Sequence, residues 1–259
     1  MHCLAFDIET IPDTELGRRL YGLDGLDDAA VAEFMFFRRR QQTGRDFLPL
    51  PQQRVVAISV ALRTREGLRL WSLGEPDAPE RELIERFYDG LERFSPVLVS
   101  WNGGGFDLPV LHYRALRHGV AAPRYWETGD QDPAFRWNNY LNRFHARHTD
   151  LMDVLSGYQA GGRARLEEVA LMLGLPGKMG MSGAEVWPAW QRGEIAEIRA
   201  YCETDALNTY LVYLEFERLR GSLDDEALAA EQARVRETLA ASGQPHLEAF
   251  LAAWQEPGA

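Results

Sequence analysis

The sequence predicts an α/β fold, a mixed β-sheet flanked by helices, with a helical insertion after the first strand and a helical C-terminal extension. Three observations predict it. Apolar runs "LAF-I" (4–8), "RVVAISVALR" (54–63), "GLRLWSL" (67–73) and "PVLVSW" (96–101) have the length and composition of strands. The turn "TREG" joins the second and third as an antiparallel hairpin, and strand–helix alternation follows. Segments at helical spacing fill the remainder, and layers of helix on sheet are the stable way to bury both.

The first strand carries Asp7 and Glu9 inside its apolar run. A charge in a strand core costs several kcal/mol unless something compensates it. Residues two apart share a face, so the two carboxylates lie side by side, and a cation between them is the simplest compensation. Residues 13–50 then break the strand pattern: "ELGRRLYGL" and "DDAAVAEFMFFRRRQQTGRDF" read as helices of an insertion closed by "LPLPQ". After the hairpin, residues 79–93 start with proline and read as a helix, and "DLPVLHYRALRHG" as another, closed by Gly119. A polar, aromatic connection leads to "RHTDLMDVL", a strand edge entering a helix, and "RLEEVALMLGL" is amphipathic. "EIAEIRAYCETDALNTYLVYLEFERLR" is the longest helical pattern, and residues 221–259 read as one or two packing helices.

Composition limits the function classes. The chain has 259 residues, a net charge of −11 and two cysteines, Cys3 and Cys202. No apolar run approaches the roughly 20 residues that span a bilayer, no leader peptide is apparent and no disulfide or C-x-x-C framework exists. A reduced, cytoplasmic protein without a membrane partner is expected. Acidity argues against tight duplex binding, although arginines cluster at 38–40, at 143 and 147, and at 163 and 165. Lys178 is the only lysine.

Two further stretches carry chemistry. In "SWNGGGFDLPVLHYRAL", Asp107 sits where a glycine turn meets a helix, a position that suits a simple cap or a site beyond a strand end. In "YCETDALNTYLVYL", Tyr201 and Asp205 are four apart and share a helical face. Together, "FDIET", N-x-x-x-F-D and Y-x-x-x-D, in this order, closely resemble the DEDDy 3′–5′ exonucleases of the ribonuclease H-like superfamily. The resemblance is nearest to the proofreading exonuclease domain of family B DNA polymerases and to the stand-alone bacterial proteins related to it. It covers about residues 1–220, supported by "TDLMDVL" and "LGLPGK". Nothing in the chain resembles an attached polymerase.

This resemblance implies a ribonuclease H-like exonuclease domain over 1–220, with the 221–259 extension packed on it. It also implies two divalent ions, Mg²⁺ or Mn²⁺, held by Asp7, Glu9, Asp107 and Asp205, with Asp7 bridging and Asp107 acting partly through water. Tyr201 would orient the attacking water. Ala200 stands where the DEDDh enzymes carry histidine, so the tyrosine subtype is implied. The reaction is phosphodiester hydrolysis at single-stranded or frayed DNA 3′ ends, releasing 5′-mononucleotides. Two hard cations supply the hydroxide, the charge neutralisation and the leaving-group assistance that it needs. Thr10, Ile11, Trp101, Asn102, Phe106 and Lys178 are the candidate nucleic-acid contacts; Trp101 and Phe106 are equally candidates for core packing, and Lys178 for a solvated loop. Alternatives are an exoribonuclease with the same mechanism, a phosphatase whose first strand ends in an acidic pair, and a catalytically silent nucleic-acid-binding module.

Overall fold

Leu4, Phe6 and Ile8 pack into a core on one side of the sheet and Cys3 and Ala5 into a core on the other, as the two-residue period of a strand requires. The computed structural model describes residues 2–254; Met1 of the expected catalytic domain and residues 255–259 of the expected extension lie outside the described residues. The elements in chain order are β1 (Cys3–Pro12), α1 (Thr14–Tyr21), α2 (Asp28–Thr43), β2 (Gln53–Arg63), β3 (Leu68–Ser72), α3 (Glu80–Phe94), β4 (Val97–Ser100), α4 (Asp107–His118), α5 (Pro123–Trp126), β5 (His148–Asp150), α6 (Leu151–Leu155), α7 (Leu166–Met172), α8 (Val186–Gln191), α9 (Ile195–Leu219), α10 (Asp225–Ala240) and α11 (Pro245–Ala253).

The sheet runs β3-β2-β1-β4-β5. β1, β2 and β3 form an antiparallel meander, while β4 and β5 add parallel to β1. This mixed sheet with helices on both faces is the ribonuclease H-like α/β arrangement. One face is covered by α3 and α4 through Leu83, Ile84, Phe87, Leu108 and Leu111. On the other face lies α9, buried on nearly all sides, as expected for a helix sandwiched between a sheet and further helices. Its outer side meets α10 and α11 through Val235, Leu239, Leu247 and Phe250. Arg63, near the end of β2, donates to both carboxylate oxygens of Glu231 in α10, at 2.7 and 2.6 Å.

The insertion, α1 and α2, is tied to the sheet at its root. Asp13 accepts the Leu16 N–H as the cap of α1 and the Arg114 guanidinium with its other oxygen. Arg114 also donates twice to Glu80, which accepts the Val55 N–H and lies 2.7 Å from the His118 imidazole. At the far end, Gly44 takes the left-handed conformation that ends α2, and Arg39 and Arg40 hold the returning chain at the Phe47 carbonyl and the Asp46 carboxylate.

Candidate active site

The site forms where β1, the β4–α4 turn and the middle of α9 meet. Asp7 and Glu9 face α9, on the same side as Cys3 and Ala5. Across from them β2 carries a bulge: Glu9 pairs with Ala57 and Thr10 with Val55, so Val56 is the extra residue. The carboxylate oxygens of Asp7 and Glu9 and the Cys202 sulfur lie within 4.8 Å of one another. Cys202 is fully buried, burial pushes its thiol well up, and its Sγ–H donates to the Asp7 carbonyl at 3.3 Å. A protonated thiol of this kind locks α9 onto β1; hard cations prefer the carboxylates.

Asp107 is the first residue of α4. Its side chain does not cap the helix: the cap position is Phe106, without a side-chain hydrogen bond. The preceding turn is shaped by glycine, since a Cβ on Gly103 would meet Ser100 Oγ at 2.3 Å. Asp150, at the end of β5, accepts the N–H groups of Asn102 and Gly104 at 2.9 Å each, which fixes the turn that delivers Asp107. Asn102 adopts φ 63, the left-handed region that asparagine tolerates.

Asp205 is contributed by the interior of α9, with Tyr201 one turn before it. Burial is the largest influence on all four carboxyl groups, and it lifts each above its ordinary range. Burial and then the charges of Glu9, Asp107 and Asp205 hold Asp7 well up. Burial, Asp205 and Asp107 do the same to Glu9, with Lys178 pulling it down. Asp107 is pushed up to about 7 by burial, against the pull of its own N–H and that of Ile8. Asp205 is pushed up to about 6 by burial, opposed by hydrogen bonding from Tyr201 and by the Lys178 charge. Burial and the carboxylates raise the Tyr201 phenol, keeping it a neutral donor. Groups lifted together in this way hold protons when empty and favour a cation when one is supplied.

A cleft of about 570 Å³ opens beside Glu9. Thr10, Gln53 and Phe106 line it from the sheet side, Phe47 from the insertion and Trp187 from α8. The Phe47 and Phe106 rings meet at 5.3 Å. Thr10 donates to Gln53, and Gln53 donates to the Leu48 carbonyl, so those two side chains spend their polar groups on each other and the backbone.

Of the residues expected at the site, Asp7, Glu9, Asp107, Tyr201 and Asp205 come together, and Thr10 and Phe106 line the cleft. Lys178 is exposed, its Nζ 5.6 Å from the Tyr201 ring centroid. Trp101 is half-buried against the second core. Ile11 does not line the cleft: it is buried with Val186, Ala189, Ile198 and Tyr201, because α8 covers the strand face on which it lies. Sequence reasoning gave no functional role to Phe47, Trp187, Cys202 or Asp150. The single available signal was the Cys202–Tyr201 neighbourhood within the third motif.

Most of the chain, residues 45–254, matches the family described as predicted 3′–5′ exonucleases related to the exonuclease domain of PolB. The chain belongs to this family. The matched span begins after β1 and extends through α11, including the C-terminal helices on which the sequence motifs are silent. Among known proteins, the chain is similar to a DNA polymerase of Archaeoglobus fulgidus, 24% identical over 171 residues, which cover 65% of this chain and 21% of that polymerase. It is also similar to DNA polymerase 1 of Sulfurisphaera ohwakuensis, 47% identical over 38 residues, 15% of this chain and 4% of that one. The chain thus matches about a fifth of the length of the first polymerase. The family is one of predicted exonucleases, so nuclease chemistry on a nucleic acid is the class of activity that membership points to. No helix among the described residues is long and apolar enough to cross a membrane.

Proposed function

We propose that this family member is a metal-dependent 3′–5′ exonuclease of the tyrosine subtype, acting on single-stranded or frayed DNA 3′ ends and releasing 5′-mononucleotides. The observation that carries this reading is the convergence of three carboxylate motifs, far apart in sequence, on one largely buried cluster in which Asp107 and Asp205 raise the affinity of Asp7 and Glu9 for protons. Asp7, Glu9, Asp107 and Asp205 offer only oxygen donors, which suits two Mg²⁺ or Mn²⁺ ions. When bound, such ions supply the hydroxide nucleophile and neutralise charge on the reacting phosphate and the leaving oxygen.

The chain's own residues position the reactants. Tyr201, neutral and in hydrogen-bonding relation to Asp205, orients the attacking water with its hydroxyl. The cleft between Phe47 and Phe106 takes the terminal base by stacking, worth roughly 1–3 kcal/mol. Because Thr10 and Gln53 satisfy each other, that base is held by shape, with little reading of its edge. Asn102 and Trp101 lie on the turn over which the preceding nucleotides pass, and Lys178 meets a phosphate. We assign residues 1–220 to the catalytic domain and 221–259 to an extension on it, a reading supported by the Arg63–Glu231 pair. Two free, buried cysteines support a reduced, cytoplasmic setting.

The test uses 5′-labelled single-stranded DNA and RNA of equal sequence, with Mg²⁺, Mn²⁺ or EDTA. A metal-dependent ladder shortening from the 3′ end, absent in Asp7→Ala, is expected, faster on DNA. A faster RNA ladder makes the enzyme an exoribonuclease. If folded wild-type protein shortens neither polymer, the binding-module reading replaces this one.

A further inference from the structure

We propose that a second nucleic-acid contact, built from Arg143, Phe144, Tyr158 and Arg163, holds the single strand upstream of the 3′ end. This extends the exonuclease reading above from the terminal nucleotide to the strand behind it.

The chain as a whole carries −11, yet residues 136–165 hold five arginines (136, 143, 147, 163 and 165) against two acids, Asp150 and Asp153, a local excess of three positive charges. Within that segment Arg143 and Arg163 each donate at 2.8 Å to a different oxygen of Asp153. Two guanidinium groups on one carboxylate leave a positive charge uncompensated, and both side chains keep 40–50% of their surface in solvent. Arg143 also lies over the Tyr158 ring at 4.9 Å and the Phe144 ring at 5.7 Å, and the two rings meet edge to face at 4.9 Å. Phe144 is 70% exposed. Tyr158 adopts φ 62, a conformation disfavoured for an aromatic residue. Arginine forks beside solvent-facing rings are the combination that holds a single strand, the cations on phosphates and the rings under bases.

Position connects this patch to the reaction. Asp150 accepts the N–H groups of the turn before Asp107 and also caps α6. Asp153, the anchor of both arginines, follows within one helical turn, about 5 Å along the axis. A strand with its 3′ end at Asp107 and passing over Asn102 therefore arrives at Arg143 and Phe144 within a few nucleotides.

The test measures fluorescence anisotropy of oligothymidylates of about 3 and about 15 nucleotides. Binding is read in EDTA, so that no cleavage occurs. The full-length chain is compared with Phe144→Ala and with the double variant Arg143→Ala/Arg163→Ala, each checked for an unchanged melting temperature. The longer strand is expected to bind at least tenfold more weakly to the double variant and severalfold more weakly to Phe144→Ala, with the short strand unaffected. The dependence of log affinity on log salt for the longer strand should flatten by about 1.4 on removing both arginines. Equal binding of the longer strand to all three proteins would assign the patch another occupant, such as an acidic peptide, and overturn the proposal. Equal losses on both lengths would overturn it as well. Hydrolysis plays no part in this readout, so a protein that binds long strands through the patch but cuts nothing refutes the catalytic reading alone.

Discussion

Replacing Asp205 by asparagine should stabilise the metal-free protein while abolishing its activity. Asp205 is buried to 8% exposure, and its carboxyl rises from 3.8 to about 6 in the folded state. At about 1.4 kcal/mol per pH unit, ionising it costs the folded protein about 3 kcal/mol relative to the unfolded chain. The sign follows from proton linkage: the native state holds this proton more tightly than the unfolded state, so stability falls as pH rises. The cost is absent below the ordinary carboxylate range, grows above it, and is complete once pH exceeds about 6. Asparagine keeps the shape and removes the charge. In EDTA at about pH 8, Asp205→Asn should therefore melt roughly 6–12 °C above wild type, a gap that closes towards about pH 4. Adding Mg²⁺ should raise the wild-type melting temperature and move the variant much less, since only the wild type relieves four carboxylates by binding a cation. Differential scanning calorimetry at the two pH values, with and without metal, measures all of this. A variant no more stable than wild type at high pH, or a gap that ignores pH, refutes the electrostatic account of the site.

Arg114→Met should cost about 3–5 kcal/mol in urea denaturation, because it strands the Asp13 and Glu80 carboxylates, whose side chains are 3% and 5% exposed. A loss below about 1 kcal/mol would contradict the role of that ion pair at the root of the insertion. Phe47→Ala should raise KM for a single-stranded substrate about tenfold, the stacking worth assigned to its ring, with kcat within about twofold; an unchanged KM removes Phe47 from the cleft's function. Tyr201→Phe should lower kcat by about 10- to 100-fold, well short of the loss in Asp7→Ala, and equality between the two variants would make Tyr201 more than a positioner of water.

How much was legible in the chain depended on how local the signal was. Asp7 and Glu9 sit two apart on a strand and Tyr201 and Asp205 four apart on a helix, spacings that place side chains on one face before any tertiary structure is known. The hairpin and the amphipathic helices were readable for the same reason. Ile11 shows where such reasoning ends. Its period-two position does put it on the face of Asp7 and Glu9, but that face is covered at residue 11 by α8, a six-residue helix with proline at its third position. Proline is tolerated in a first turn, yet in sequence it reads as a helix breaker, so the element that buries Ile11 and brings Trp187 to the cleft left no recognisable pattern. Phe47 was equally silent. Its place against Phe106 follows from how Arg39 and Arg40 fold the chain back onto α2, a tertiary event.

The acidity of the chain and the nucleic-acid substrate proposed for it are reconciled by where the charges lie. The carboxylates that matter most are buried or, for Asp7, half-buried and repel one another, so they are a source of cation affinity and contribute little to the field that an approaching strand meets. Many of the remaining acids are spent in ion pairs, as Glu80 is on Arg114 and Glu231 on Arg63. What the proposed substrate would meet is local: Lys178 beside Tyr201, aromatic rings along the cleft, and the arginine excess of residues 136–165. On the proposed reading, a protein organised in this way would gain little from long-range attraction and would depend on stacking and on metal at the 3′ end. That combination favours a flexible single strand, whose bases can turn outward onto rings, over a duplex, whose bases are already stacked and whose recognition draws on a broad basic surface.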